Sequence, residues 1–356
     1  MYHAHPYSSS HENAPVIFSI TVPCFLQSHN YSAKSPASTQ AFTHFSLTFI
    51  KTILSIPAYL CYTFNVVFKT TSCEVRDMSY LVVIDSCGEL TPDMKASGHF
   101  MSAPLTMDVD QYHFVDDETF DQQEFLKRVR ESPNCPRSAC PSPQYYKECF
   151  DRDFDHLYAV TLSGALSGSY NSAQVGRTMA LEEHPDKKIH VFNSKSASIG
   201  ETLIGRKIAE YEEAHLPFEE IIEKVDAYIE SQVTWFVLES LDTLRKNGRL
   251  SNFKAFVATA LKIKPICTST PEGEIQQVGQ ARGINKALVK MVEMAAESAG
   301  HMQDNEIAVS HTNNPERGQM VLDAIRERVK AKNYFLENGR GCTSMYANDG
   351  GIIMVL

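Results

Sequence analysis

The sequence predicts an α/β protein of two domains, a doubly wound and mainly parallel sheet followed by a smaller mixed α/β unit. Three observations predict it. From residue 78 to about 232, apolar runs of buried-strand length alternate with amphipathic helical stretches, the pattern of a parallel sheet covered on both faces. The carboxyl end of each of the first three apolar runs is polar, as in open sheets that bind a ligand outside their strand ends. Beyond residue 232 the texture changes to a strand pair around a tight turn and further helix–strand alternation. The 356 residues suffice for two cores.

The elements follow in order. "YLVVID" (80–85) is a buried strand ending in Asp85 and Ser86, and "DVDQYHFVDDETFD" (108–121) is a solvated loop and strand without the glycine and terminal glutamate of a calcium loop. "DQQEFLKRVRES" (121–132) places Phe125, Leu126 and Val129 at helical spacing, with Pro133 to stop it. "PSPQYYKECFDR" (141–152) is a helix with Ser142 as N-cap and Pro143 at its first position. "HLYAVTL" (156–162) is the second strand, "SYNSAQVGRTMALEEH" (169–184) a helix and "KIHVFNS" (188–194) the third strand. Two helices follow, "SIGETLIGRKIAEYEEAH" and "FEEIIEKVDAYIESQ". In the second domain "VTWFVLES" is a strand and "LDTLRKNGRLS" a helix ended by Gly248. "LKIKPICTST" and "EIQQVGQAR" pair around "PEGE". Helix "INKALVKMVEMAAES", strand "NEIAVSHT", helix "PERGQMVLDAIRERVKA" and strand "GGIIMVL" complete the chain. The domain limits expected are 1–77 for an extension, 78–232 and 233–356.

The extension is rich in Ser, Thr, His and Pro and has neither helical nor strand periodicity up to residue 45. "SLTFIKTILSIPAYLCYTFNVVF" (46–68) has the length of a membrane span but carries Lys51, Pro57 and Asn65. It lies too far from the terminus for a signal peptide, and no basic region precedes it. A membrane anchor, a genuine appendage and an upstream start-site extension are all open. The last is favoured, because Met78 opens "MSYLVVIDS" as a cytosolic α/β protein would begin.

A formal net charge of −10 with no basic run interleaved with aromatics argues against sequence-independent nucleic-acid binding. The 9 cysteines are odd in number and irregular in spacing, which points to reduced thiols rather than a disulfide framework. Cys135, Cys140 and Cys149 with nearby His156 lack a CxxC pair, so no metal is expected there.

Four polar stretches carry the chemistry. They are Asp85-Ser86, the Ser/Gly loop "SGALSG" (163–168), Asn193-Ser194-Lys195-Ser196, and "PRSACPSP" (136–143) leading into a helix start. Each alone is ordinary capping and turn chemistry. Together they suit one crevice. A phosphate loop of the Walker type is absent, and "GALSG" around Ser167 fails the spacing of a hydrolase elbow. His311, at the end of a strand, is the available base for nucleophilic chemistry, though a lone histidine there is more often structural. Hydroxyls with helix-start N–H groups suit a carboxylate or similar acidic head group.

These segments resemble the DegV family. The resemblance rests on "VVIDS", "SACPSP", "LSGALSGSYNSA", "VFNSKSASIGETL", "LDTLRKNGRLS", "LKIKPI" and "EGEIQQVGQARG", in the family's order from about Met78 to Leu356, with no place for the first 77 residues. It implies a bacterial, cytoplasmic protein of two α/β domains that binds a long-chain fatty acid between them. It implies no cofactor, no catalysis of its own, and at most transient membrane contact. It further implies presentation of the bound carboxylate to a separate fatty acid kinase subunit.

By that similarity the head group is held at Ser138 and Ser142, and along the loop Ser163, Gly164, Ser167 and Gly168, beside Asp85 and Ser86. Arg249 and Arg282 match family basic positions. Arg249 is expected at the surface toward the kinase, and Arg282 at the ligand. Relatives with a His-x-Gly-Pro-Gly segment place its histidine at the carboxylate. Here "GCTSMYANDGG" stands instead, so Thr343 and Ser344, with Tyr346 and Asn348, are the available donors. The alternative reading is a small-substrate acyl- or phosphate-handling enzyme built on the Ser/Gly loop.

Overall fold

The computed structural model describes residues 79–250, 262–300 and 302–356, all within one compact unit, 76–356. The expected extension 1–77 and its candidate span 46–68 lie outside the described residues.

The described part of the chain opens with β1 (Tyr80–Asp85), α1 (Pro92–Ser97), β2 (Phe100–Ala103), β3 (Thr106–Val109) and β4 (Tyr112–Val115). Then come α2 (Gln122–Glu131), β5 (Arg137–Ala139), α3 (Pro143–Phe150), β6 (His156–Thr161), α4 (Ser169–Glu183) and β7 (Lys188–Asn193). Two consecutive helices, α5 (Ile199–Glu213) and α6 (Phe218–Ser231), lead to β8 (Thr234–Val237), α7 (Asp242–Lys246), β9 (Ile263–Ser269), β10 (Ile275–Arg282) and α8 (Ile284–Ser298). The chain closes with β11 (Glu306–His311), α9 (Pro315–Arg326), β12 (Asn333–Asn338), α10 (Gly341–Ala347) and β13 (Ile352–Val355). Side-chain caps set several starts: Asp121 accepts from the N–H groups of Gln123 and Glu124, Ser142 from Tyr145, and Asn314 from Arg317.

Three sheets result among the described residues. A four-stranded parallel sheet runs β2-β1-β6-β7, a mixed six-stranded sheet runs β10-β9-β8-β13-β11-β12, and a three-stranded antiparallel sheet runs β4-β3-β5. In the parallel sheet the register aligns Ile84 with Val160, Val160 with Phe192 and Thr161 with Asn193. The carboxyl ends of β1, β6 and β7 therefore lie on one edge, and the polar residues after each strand are brought together.

Helix α5 explains why the two large sheets form one unit. Ile199, Leu203, Ile204 and Ile208 share a core with Val82 and Ile84 of β1 and with Ala308 and Val355 of the six-stranded sheet. A helix between two sheets must be apolar on more than one face, which is why eleven of its residues are buried. Five elements were not read from the sequence: α1, β2, β5, β12 and α10. Helix "LDTLRKNGRLS" is shorter than its pattern, since α7 ends at Lys246 and Gly248 turns back in the left-handed region, φ 79°.

Candidate functional site

Between the parallel and the six-stranded sheet lies a cavity enclosing about 820 Å³ of atom-free space, its mouth included. Leu105, Leu162 and Leu166 wall one side, and Phe236, Leu244 and Ile275 the other. These belong to two buried clusters that both touch Tyr346. The cavity suits a long apolar ligand.

Polar side chains interrupt this lining at several points, Ser196, Ser198, Thr234, Ser269, Glu274 and Thr343 among them, and Ser138, Ser167, Arg249 and Tyr346 make one polar corner. The Ser138 and Tyr346 hydroxyls are 3.0 Å apart, and the Arg249 guanidinium carbon is 6.0 Å from the Tyr346 ring centroid. Arg249 Nε donates to the Leu166 carbonyl at 3.1 Å, and the guanidinium also donates to the Asn247 carbonyl. Among the described residues no carboxylate pairs with Arg249. The other cation in the lining, Lys195, is tied to Glu230. Arg249 is thus half-buried in the cavity wall rather than standing at the surface as expected.

The motif "NGRLS" builds this corner locally. Asn247 Nδ2 donates to the Pro136 carbonyl at 3.1 Å, tying the end of α7 to the strand that carries Ser138. Gly248 then reverses the chain so that Arg249 N donates to the Leu244 carbonyl at 2.8 Å and the side chain points inward. Burial pushes the Tyr346 phenol above its ordinary value, so it stays a neutral donor.

The Ser/Gly loop divides its labour. Ser163 is fully buried; its Oγ donates to the Gly273 carbonyl at 2.8 Å and its N–H to the Ser196 carbonyl at 2.9 Å. Gly164 is exposed and its N–H donates to Asn193 Oδ1 at 3.0 Å. Ser167 faces the cavity while its Oγ accepts from Ser169 N at 3.1 Å, and Gly168 is the exposed N-cap of α4. Of this loop, Leu166 and Ser167 reach the lining.

Asp85 and Ser86 lie behind the wall. Asp85 Oδ2 accepts from Leu162 N at 2.9 Å and Oδ1 from Cys87 N at 3.2 Å, so this carboxylate joins the ends of β1 and β6. Ser86 Oγ accepts from Leu105 N at 2.9 Å and donates to Asp116 Oδ2 at 3.0 Å. Asp116 in turn accepts from the N–H groups of Gly341 and Cys342 at 2.9 and 2.8 Å, which fixes the start of α10.

Burial raises the carboxyls of Asp85, Asp116 and Glu201, and in Glu201 the nearby Asp85 charge adds to it. Glu89 is pushed up to about 8, chiefly by burial, against hydrogen bonds from Ser198 and Thr343 that favour its ionised form.

Several expected contacts fall elsewhere. Ser142 is exposed and caps α3, and Arg282 is exposed at the end of β10; neither lines the cavity. Thr343 does line it, but its hydroxyl donates to Glu89 Oε1 at 3.0 Å. Ser344 Oγ donates to the Gly339 carbonyl at 2.8 Å and accepts from Gln122 Nε2 at 2.8 Å, outside the lining. Asn348 Nδ2 donates to the Tyr346 carbonyl at 3.3 Å. His311 is likewise outside the lining, its Nδ1 accepting from Asn314 N at 3.3 Å.

Glu89, Asp116 and Glu201 were not legible as a set, since each sits in an ordinary-looking polar stretch. The metal-like grouping among the described residues is Asp151, Glu183 and His184, all exposed. There Lys147 Nζ bonds both carboxylates, at 2.7 and 2.8 Å.

Residues 79–348 match the family model described as "Uncharacterised protein, DegV family". A DegV domain-containing protein of Streptococcus pneumoniae is 33% identical over 279 residues, covering 78% of this chain and 98% of that protein. The structure of a DegV family protein from Ruminococcus gnavus with vaccenic acid is 48% identical, with a TM-score of 0.77, covering 79% of this chain and 100% of that one. The Streptococcus pneumoniae Fatty Acid Kinase (Fak) B3 protein loaded with linoleic acid is 32% identical, with a TM-score of 0.70, covering 78% and 99%. Through its motifs, its two-sheet architecture and this match over most of its length, the chain is a member of the DegV family.

Proposed function

We propose that this protein is a cytoplasmic carrier of one long-chain fatty acid. The carboxylate sits against Ser138, Ser167, Tyr346 and Arg249, and the acyl chain fills the cavity between the sheets. The observation that carries this reading is the half-buried arginine, in no ion pair with a carboxylate among the described residues, set beside the hydroxyls of Ser138, Ser167 and Tyr346 in a largely apolar cavity. An anion completes that charge. Each charge-assisted hydrogen bond contributes about 1.5–3 kcal/mol. Each buried methylene adds about 0.8 kcal/mol, which sets the long tail against the cost of association. The fatty acids bound by the Ruminococcus gnavus and Streptococcus pneumoniae neighbours support the same ligand class.

The carrier performs no chemistry itself and presents the carboxylate to a separate fatty acid kinase subunit. Its similarity to the Fak B3 protein supports that step. The hydroxyl commitments weigh against the alternative enzyme: Ser163 donates to a carbonyl, and His311 lies outside the lining.

The test is native mass spectrometry of the protein purified from cells, followed by lipid extraction. A fatty acid near one per chain is expected. A protein without lipid that also fails to take up added fatty acid overturns the reading and returns attention to a small-substrate enzyme around Ser163 and Ser167.

A further inference from the structure

Two thiols in the cavity wall have no part in holding a carboxylate. Cys87 lies in the turn after β1 and Cys342 is the second residue of α10, so they come from near opposite ends of the described chain. Both line the cavity, and both belong to one apolar cluster with Leu105 and Leu162. At 4% and 1% exposure they meet solvent through the cavity itself. Cys87 Sγ is 4.0 Å from Thr343 Oγ1, whose proton goes to Glu89.

We propose that Cys87 and Cys342 are an oxidisable pair, and that peroxide converts them, when the cavity is empty, to a disulfide that bars the acyl ligand. The ligand half of this rests on the fatty-acid reading above; the thiol half does not. The step balances with hydrogen peroxide as the two-electron oxidant. One thiol, as thiolate, attacks a peroxide oxygen; the O–O bond breaks, and a sulfenic acid and one water result. The second sulfur displaces the hydroxyl as a second water, and the S–S bond forms.

The neighbouring Cys342 and burial push the Cys87 thiol far up, whereas Cys87 lowers Cys342 against the burial that raises it, so Cys342 is the more acidic partner and the attacking sulfur. Burial holds both thiols protonated, so the reaction is slow, and a bound acyl chain stops it by covering them. Joining the sulfurs at about 2.05 Å pins α10 to the β1 turn. Helix α10 also supplies Thr343, Tyr346 and Ala347 to the wall, so the crosslink freezes the surface that must admit the chain.

The experiment uses the full-length protein, delipidated and reduced, with hydrogen peroxide as oxidant and oleic acid as probe. Loss of the mass of two hydrogens, a crosslinked peptide joining Cys87 to Cys342, and an about tenfold fall in oleate uptake, reversed by dithiothreitol, are expected. Preloading with oleate should slow the crosslink by a similar factor, and Cys342→Ser or Cys87→Ser should abolish it while making uptake insensitive to peroxide. No crosslink in the empty protein, equal crosslinking of the loaded protein, or oxidation that leaves uptake unchanged overturns the proposal. Failure of the reduced protein to take up oleate would instead overturn the fatty-acid reading, because the crosslink is read by mass alone.

Discussion

Ser163 Oγ donates to the Gly273 carbonyl at 2.8 Å, locking the Ser/Gly loop of the parallel sheet to the tip of the β9–β10 hairpin of the six-stranded sheet. The fit is close. A Cβ on Gly273 would stand 2.3 Å from that Oγ and 2.8 Å from Lys195 Cα, and Gly273 holds φ 80°. A serine that reads as a ligand contact in sequence thus joins the two cavity walls.

Gly273→Ala is expected to destabilise the protein by about 1–3 kcal/mol, through the left-handed backbone and the clash together. Ser163→Ala is expected to cost about 1–2 kcal/mol by leaving the Gly273 carbonyl unpaired. Urea denaturation midpoints measure both.

Arg249→Ala is expected to weaken fatty-acid binding by about 10- to 100-fold, the equivalent of one or two charge-assisted hydrogen bonds. Binding of the corresponding fatty alcohol should barely change. Titration with both ligands separates lost charge from lost packing against Tyr346. Equal losses for acid and alcohol would remove Arg249 from the head-group site.

Glu89 gives stability a pH dependence. Its carboxyl ionises at about 8 in the fold against 4.5 ordinarily, so between those values the folded protein holds a proton the unfolded chain has released. Its contribution is complete below 4.5 and is lost as pH rises through 8. The groups facing it are Ser198, Ser310 and Thr343, with Asp116 nearby. Glu89→Gln should flatten the fall in denaturation midpoint between pH 4.5 and about pH 8. An unchanged slope would assign it to Asp85, Asp116 and Glu201.

Ile204 is fully buried in the core that α5 shares with both large sheets. Ile204→Ala is expected to cost about 2–5 kcal/mol, the range for truncating a buried aliphatic side chain. Calorimetry should show one transition shifted downward. Two separated transitions would mean that the sheets unfold independently.

The alternation of β1, β6 and β7 with helices was legible because buried parallel strands are continuous apolar runs and because α2 and α3, before β6, carry side-chain caps. The polar strand ends were legible for the same reason, since they interrupt those runs. Helix α10 was not, because "GCTSMYA" has no amphipathic period and owes its position to Asp116 bonding its first N–H groups. Strand β12 was missed because its residues are largely half-buried at a sheet edge, where apolar alternation is weak.

By itself the sequence determined the α/β class, the order of most strands and helices, the polar loops and, through its motifs, the resemblance to DegV proteins. The tertiary structure alone decided which hydroxyls face the cavity. A serine's chemistry is the same in a cap, a lock or a binding site; its role depends on which partner lies within hydrogen-bonding reach. That partner is remote in sequence for Ser163 with Gly273, Ser138 with Tyr346 and Thr343 with Glu89. The same holds for charge. Arg249 becomes a candidate counter-ion because the fold places it in the wall of a largely apolar cavity, where no ion pair joins it to a carboxylate among the described residues.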